Sequence, residues 1–185
     1  MKYAYQDPAG WHAETVDSEG DVGQHASVAV DGSGHPHINY FDFTNDDLKY
    51  AYQDAASWHT ETLDSAGGRY TSLAVDGDGV PHISYRAGSG ELRHASPGPG
   101  GWQIDTIDSG LGWYVETSLD LDEGGYPHIA YGDYTNLDLK YAYQDANGWH
   151  VQTVDSPGKV GRYPSLGLDE QGYAHISNVA GPTLS

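Results

Sequence analysis

The sequence predicts an all-β propeller on three observations: a phrase that recurs at a fixed period, four short alternating segments in each period, and turn residues between those segments. MKYAYQDPAGWHAETVDS opens the chain, LKYAYQDAASWHTETLDS starts at Leu48, LRHASPGPGGWQIDTIDS at Leu92 and LKYAYQDANGWHVQTVDS at Leu139. Each is followed by a second phrase: SVAVDGSGHPHINY, SLAVDGDGVPHISY, SLDLDEGGYPHIAY and SLGLDEQGYAHISN. The units are 1–47, 48–91, 92–138 and 139–185, with lengths of 47, 44, 47 and 47 residues. A period of about 40–50 residues with strand-like content marks propeller blades. The 185 residues suffice for one domain with a real core.

The four strands can be followed through one blade. Ser72–Asp76 is small and apolar, and Asp76-Gly77-Asp78-Gly79 closes a tight turn because Gly accepts positive φ and Asp caps such turns. Pro81–Tyr85 is the second strand, with proline at its first residue, where no ladder donor is needed. Leu92–Ala95 is the third, the PGPGG turn follows, and Trp102–Asp108 is the fourth. Strands crowd at a propeller axis, so the segment carrying Ala29, Ala74 and Gly167 is assigned to the innermost position. The Trp-led polar segment, with its alternating pattern, suits the outer edge.

The chain therefore opens on the third and fourth strands of a blade and reaches the first and second of another at Ser165–Ser177. The expected architecture is four blades of four antiparallel strands in a monomer, closed by pairing these two halves, which removes open edges. The alternative is a homodimer joined head to tail into an eight-bladed ring, favoured by the steep angle that four blades demand.

Composition narrows the partners. The chain has 27 acidic and 8 basic side chains and a formal net charge of −19. Such a surface repels phosphate backbones and anionic headgroups, so neither nucleic acid nor membrane insertion is expected. It attracts cations, Ca²⁺ above all, and it equally serves solubility or a saline habitat. There is no cysteine, hence no disulfide and no thiolate zinc site. No apolar run approaches the roughly 20 residues that span a bilayer. MKYAYQD has no leader pattern, so no signal peptide is expected. A start inside a repeat favours an extracellular or cell-surface origin over a cytoplasmic one.

Residues that recur in every unit are read as structural. His37, His82, His128 and His175 hold one fixed second-strand position, away from the axis, where an imidazole can donate and accept at once. Trp11, Trp58, Trp102 and Trp149 are expected as wedges between blades. Tyr3, Tyr5, Tyr50, Tyr52, Tyr141 and Tyr143 alternate along the third strand and should pack on the next blade; His94 and Ser96 replace two of them in the third unit. Asp31, Asp76, Asp122 and Asp169 read as turn residues.

Function in a propeller sits on the loops of one end. Loops after the first and third strands are tight; those after the second and fourth are longer and less uniform. Lys2, Lys49, Arg93 and Lys140 share one repeat position, whereas Arg69, Arg86, Lys159 and Arg162 fall in or beside the long loops. In so acidic a chain, this placement points to a ligand with a carboxylate or other anionic group, since arginine offers a planar donor fork. Pairing with neighbouring carboxylates is the competing reading. Tyr70, Trp113, Tyr114 and Tyr163 lie on the same loops, with His25 at the position of Tyr163. Exposed aromatics can stack on sugar faces. Asp42, Asn45 and Asp46, with Asp133, Asn136 and Asp138, form oxygen-rich loops that are weak Ca²⁺ candidates, and Asx turns explain them equally well. No cofactor is implied. Nucleophile-elbow, zincin and phosphate-loop motifs are missing, and carboxylates are too frequent to single out a glycosidase pair.

The consensus LKYAYQDxxGWHxETVDS followed by SLAVDxxGxPHISYxDxTNxD resembles the tandem β-propeller repeats of secreted or surface-associated bacterial and archaeal proteins, related loosely to sialidase-like Asp-box propellers. The resemblance covers essentially the whole chain and implies fold; no catalytic residue carries over. The pattern S-x-D-x-G-x-x-W is not present as such, and NVAGPTLS departs from the repeat. The expected function is a glycan-recognition module, with acidic glycans among its candidate ligands, using Arg69, Tyr70, Arg86, Trp113, Tyr114, Arg162, Tyr163 and His25. A polysaccharide lyase or glycoside hydrolase on the same face, with arginine binding a uronate and Tyr70, Tyr163 or His25 moving the proton, is one alternative. A structural repeat of a larger surface protein is another.

Overall fold

The structure, a computed structural model, describes residues 1–181; residues 182–185, the end of the NVAGPTLS stretch, lie outside them. Sixteen strands and no helix make up the described residues. Three complete four-stranded blades stand between two half-blades. The first half-blade is β1 (Lys2–Asp7) and β2 (Gly10–Thr15). The first blade holds β3 (Val22–Val30), β4 (Pro36–Asp42), β5 (Asp47–Gln53) and β6 (Trp58–Asp64). The second holds β7 (Gly67–Val75), β8 (Pro81–Ala87), β9 (Glu91–Gly98) and β10 (Gly101–Asp108). The third holds β11 (Thr117–Leu121), β12 (Pro127–Asp133), β13 (Asp138–Asp145) and β14 (Gly148–Asp155). β15 (Lys159–Leu168) and β16 (Ala174–Gly181) form the last half-blade. Pairing within each blade is antiparallel between sequence neighbours, as the turn pattern requires, and one parallel bridge, Asp47 to Gly67, joins the first two blades.

The small-residue strands are innermost, as their composition demands. They dock on one another through a repeated tie: Ser27 Oγ accepts from Leu73 N at 3.2 Å, Ser72 Oγ from Leu119 N at 3.1 Å and Ser118 Oγ from Leu166 N at 3.0 Å. The second strands β4 and β12 are buried along their whole length. Apolar clusters fill each space between blades, such as Leu48, Tyr50, Leu73, Ile83 and Tyr85 between the first two. Asp31, Asp76, Asp122 and Asp169 are turn residues; each Oδ1 accepts from the backbone N–H two and four residues on.

A second repeated link was not legible as such in the sequence. The aspartate that ends each fourth strand reaches the following blade. Asp17 accepts from Tyr40 at 2.7 Å and from Lys49; Asp64 accepts from Tyr85 at 2.7 Å and Arg93 at 2.8 Å; Asp108 accepts from Tyr131 at 2.7 Å and from Lys140. Burial alone would raise the Asp17 carboxyl, but the Lys49 and Tyr40 hydrogen bonds outweigh it and hold the group at about 2. The lysines of the LKYA phrase are thus inter-blade ligands of a carboxylate.

The recurrent histidines pack as structural groups: His37 Nδ1 meets the Tyr50 hydroxyl and His128 Nδ1 that of Tyr141, whereas His175 is exposed and contacts Asp169 at 3.3 Å. Three tryptophans are wedges, Trp58 on Tyr3 (5.3 Å between ring centroids), Trp102 on Tyr50 (5.0 Å) and Trp149 on His94 (5.2 Å). Trp11 departs from the expectation at 73% exposed, with no third strand of another blade beneath it among the described residues. Tyr5, Tyr52 and Tyr143 also depart, stacking on His12, His59 and His150 of their own blade.

Closure within the chain is not made: β1 pairs only with β2 and β16 only with β15 among the described residues. Each inner strand is held at its neighbour by the serine tie and packed aromatics, and three such steps do not bring the last half-blade round to the first.

His94, 2% exposed, donates to or accepts from His82 at 3.1 Å, and burial with His82 beside it pushes its imidazole down to about 3. A base depressed below its unfolded value near 6.5 contributes stability above that pH, and the contribution is lost as pH falls toward 3. We expect the unfolding free energy from urea titration to fall on acidification from pH 6.5 to 4, by roughly 1 kcal/mol per pH unit for this group. His94→Tyr, the residue at this position in the other blades, should make that limb shallower. Asp108→Ala should cost about 2–3 kcal/mol in the same assay, because Tyr131 and Lys140 lose their acceptor.

Candidate functional site

The loops after second and fourth strands lie at one end of the fan, and the inner strands there are irregular. Register shifts separate Gln24 from Ser27, Arg69 from Ser72 and Arg162 from Ser165 in β3, β7 and β15. At each bulge a non-glycine residue has positive φ: His25 at 52°, Tyr70 at 54° and Tyr163 at 49°. Such backbone costs on the order of 1 kcal/mol or more and persists only where neighbours hold it. Thr71 Oγ1 donates to His25 O at 2.5 Å, Thr117 Oγ1 to Tyr70 O at 2.9 Å, and Tyr163 N to Glu116 Oε2 at 2.7 Å. The bulges thereby re-aim three rings onto the loop face. The third blade lacks this bulge and approaches its inner strand through Trp113 and Tyr114 instead.

A cavity of about 240 Å³ opens over the second blade, lined by Asp46, Arg69, Tyr70, Arg86, Trp113 and Tyr114 with Gly67 and Gly88 at its base. Gly67 has a φ of 109°, and a Cβ there would stand 2.9 Å from Gly88 N, so the two chains can cross only as glycines. Arg69 contacts Asp46 at 3.4 Å and lies over Phe41 at 4.6 Å and Phe43 at 5.7 Å from the ring centroids. Arg86 is different. It is 5% exposed, its Nη2 donates to Gly88 O at 2.8 Å, and its Nε has no hydrogen-bond partner among the described residues. No carboxylate forms an ion pair with it among those residues. Burial lowers its pKa from the usual arginine value, and Arg69 adds to the effect. The Trp113 ring stands 5.6 Å from its guanidinium and is 77% exposed.

Two further cavities continue along the same face. One of about 320 Å³ lies among the inner strands, lined by His25, Tyr70, Glu116 and Tyr163 with Ala26, Thr71, Thr117 and Pro164. Burial and Arg69 together lower the His25 pKa. The other, about 70 Å³, is bounded by Tyr114, Glu116, Tyr134, Arg162 and Tyr163, with Arg162 4.9 Å from the Tyr134 centroid. All eight sequence candidates therefore line adjoining cavities. Lys159 is exposed and lines none of them.

Sequence reading overlooked Glu116, Tyr134, Phe41 and Phe43, and took Asp46 only as a metal candidate. A signal for Arg86 was present: aligned units place Phe41, Gly132 and Val179 at its position, so one repeat puts a cation where others are apolar or small. The oxygen-rich loops are Asx turns. Asp42 Oδ1 accepts from Thr44 N and Asn45 N while its Oδ2 takes Asn45 Nδ2; Asp133 repeats this with Thr135 and Asn136. Among the described residues no group of three or more His, Asp or Glu is placed to hold a metal ion.

No family model matches the chain, and no curated protein matches it. Several solved structures do. AofleA from Arthrobotrys oligospora is 16% identical with a TM-score of 0.64, over 96% of this chain and 56% of that one. The Aleuria aurantia lectin in complex with Fucα1-6GlcNAc is 13% identical with a TM-score of 0.60, over 96% and 66%. A leech intramolecular trans-sialidase complexed with 2,7-anhydro-Neu5Ac is 15% identical with a TM-score of 0.52, over 80% and 27%. The chain spans about a quarter to two-thirds of the length of these proteins. At such identities the likeness is one of fold, and it places this chain among β-propellers.

Proposed function

We propose that this chain is a glycan-recognition propeller whose ligand carries an anionic group, bound over the second blade. Arg86 carries the reading. A buried guanidinium with an unpartnered Nε and no carboxylate pair has surrendered hydration without full compensation, and a ligand oxygen supplies what is missing. The planar fork suits a carboxylate in two-point contact. Arg69, half held by Asp46, adds a second cation at the cavity wall. Trp113, exposed beside Arg86, offers a flat apolar surface for one sugar face, and Tyr70 and Tyr114 bound the remainder. The volume, below the roughly 300–1,000 Å³ of drug-sized sites, suits one ring of a longer chain. Fold likeness to a lectin crystallised with a fucosyl disaccharide supports sugars as the ligand class.

The test is calorimetry and array binding with uronic-acid, sialic-acid and neutral sugars. Anionic sugars should bind best, with affinity falling as salt rises. Arg86→Phe, which installs the first blade's residue, should keep the fold and lower affinity at least about tenfold. Trp113→Ala should lower it by about tenfold for anionic and neutral sugars alike. Equal binding by Arg86→Phe and the parent would overturn the site, and release of an unsaturated uronate would assign the face to a lyase.

A further inference from the structure

We infer that two copies of this chain join head to tail, β16 of each pairing with β1 of the other, to close an eight-bladed ring. The serine tie, the carboxylate–cation pair and the tryptophan wedge each occur three times between successive blades, and each series leaves one unmatched member at either end.

The strand edges come first. In complete blades the second strand pairs with the third in one register: Ile38 with Ala51, Ile83 with Ala95, Ile129 with Ala142. Ile176 on β16 and Ala4 on β1 hold those same positions, and neither has that partner. Ala51, Ala95 and Ala142 are fully buried, whereas Ala4 is exposed. The register that matches Ile176 to Ala4 of the second copy also brings His175 opposite Tyr5 and Ser177 opposite Tyr3. That is the arrangement in which His37 and His128 reach a tyrosine hydroxyl. Unpaired edges of this kind seek a strand.

Side chains agree with the edges. Trp102 Nε1 donates to Glu61 at 3.0 Å and Trp149 Nε1 to Asp105 at 3.2 Å, each while its ring covers the preceding blade's third strand. Continuing the series, the next platform is Tyr141 beside Gln152, and the unused wedge is Trp11. The carboxylate series runs Asp17, Asp64, Asp108; its fourth member, Asp155, is exposed, and so is the unused cation Lys2. The two are of opposite charge and meet in the same assembly. The serine series ends at Ser165, whose hydroxyl then faces Val28 N of the second copy. Asn178 stands where earlier blades carry the tyrosine donor, so Asp155 would meet the cation alone in this fourth interface. A heterologous contact of this kind forms a ring when its rotation closes, and in a ring of two chains every blade has four strands.

This inference does not depend on the ligand reading, and its test needs no ligand. Light scattering after size exclusion should give twice the 20.0 kDa of one chain. A mass of 20.0 kDa, or masses that climb with concentration as in an open filament, would overturn the ring. Lys2→Glu and Asp155→Lys should each weaken the dimer about fivefold, and the double exchange should restore it. Trp11→Ala should weaken it by about tenfold or more. All three residues are exposed in the single chain, so their variants should retain the far-ultraviolet spectrum of folded β-sheet. A charge exchange without rescue would also overturn the pairing.

Discussion

The fan rests on a carboxylate handed from one blade to the next. Asp17, Asp64 and Asp108 each end an outer strand, yet their partners are a tyrosine on the following blade's second strand and a Lys or Arg on its third. Blade stacking by apolar contact alone would be free to slide, because stacked faces are alike along their length. A charged hydrogen bond at the strand end has one place to go and sets the register between blades. The tyrosine pKa values move upward through burial first and the carboxylate second, which keeps the hydroxyls as donors at any physiological pH.

The loop face follows from that register. With the outer rim pinned, the inner strands lie close enough for serine ties, and β3, β7 and β15 carry their extra residues as bulges at one end. The bulges turn His25, Tyr70 and Tyr163 outward at the cost of positive φ. Strain at this end and regular turns at the other explain why one face is variable and cavity-bearing. The second blade departs furthest from its neighbours, with Arg86 in place of an apolar residue and His94 in place of a tyrosine, both buried. His94 keeps a partner in His82, whereas Arg86 has its Nε unpartnered among the described residues, and a residue that breaks the repeat's rule with a donor left over points beyond packing.

Legibility followed the repeat. The blade order, the inner strand, the turn aspartates and the structural role of His37 and His128 were readable, since each unit solves the same local problem and four copies average out noise. The eight candidate residues were picked because long loops and rare cations are visible in one dimension, and the structure sets them along adjoining cavities. Glu116 and Tyr134 were not, since they join the face only through contact with Tyr163 and Arg162 of the next unit. Asp46 stood out only as one of the oxygen-rich loop residues, and its place opposite Arg69, some two dozen positions away, needed the fold.

By itself the sequence determined the strand pattern, the nesting of strands within each blade and the chemistry available to one end, because alternation, side-chain size and turn residues act over a few neighbours. Tertiary structure alone decided which arginine lacks a carboxylate among the described residues and whether the ends meet. Arg69 and Arg86 are both arginines on one strand pair, yet only packing sets Asp46 and two phenylalanines against the first and buries the second beside Trp113. Closure is the sum of angles at every blade interface, each set by the volumes of aromatic rings packed between sheets. A sequence states which rings are present; only their assembled geometry says how far round they turn the chain.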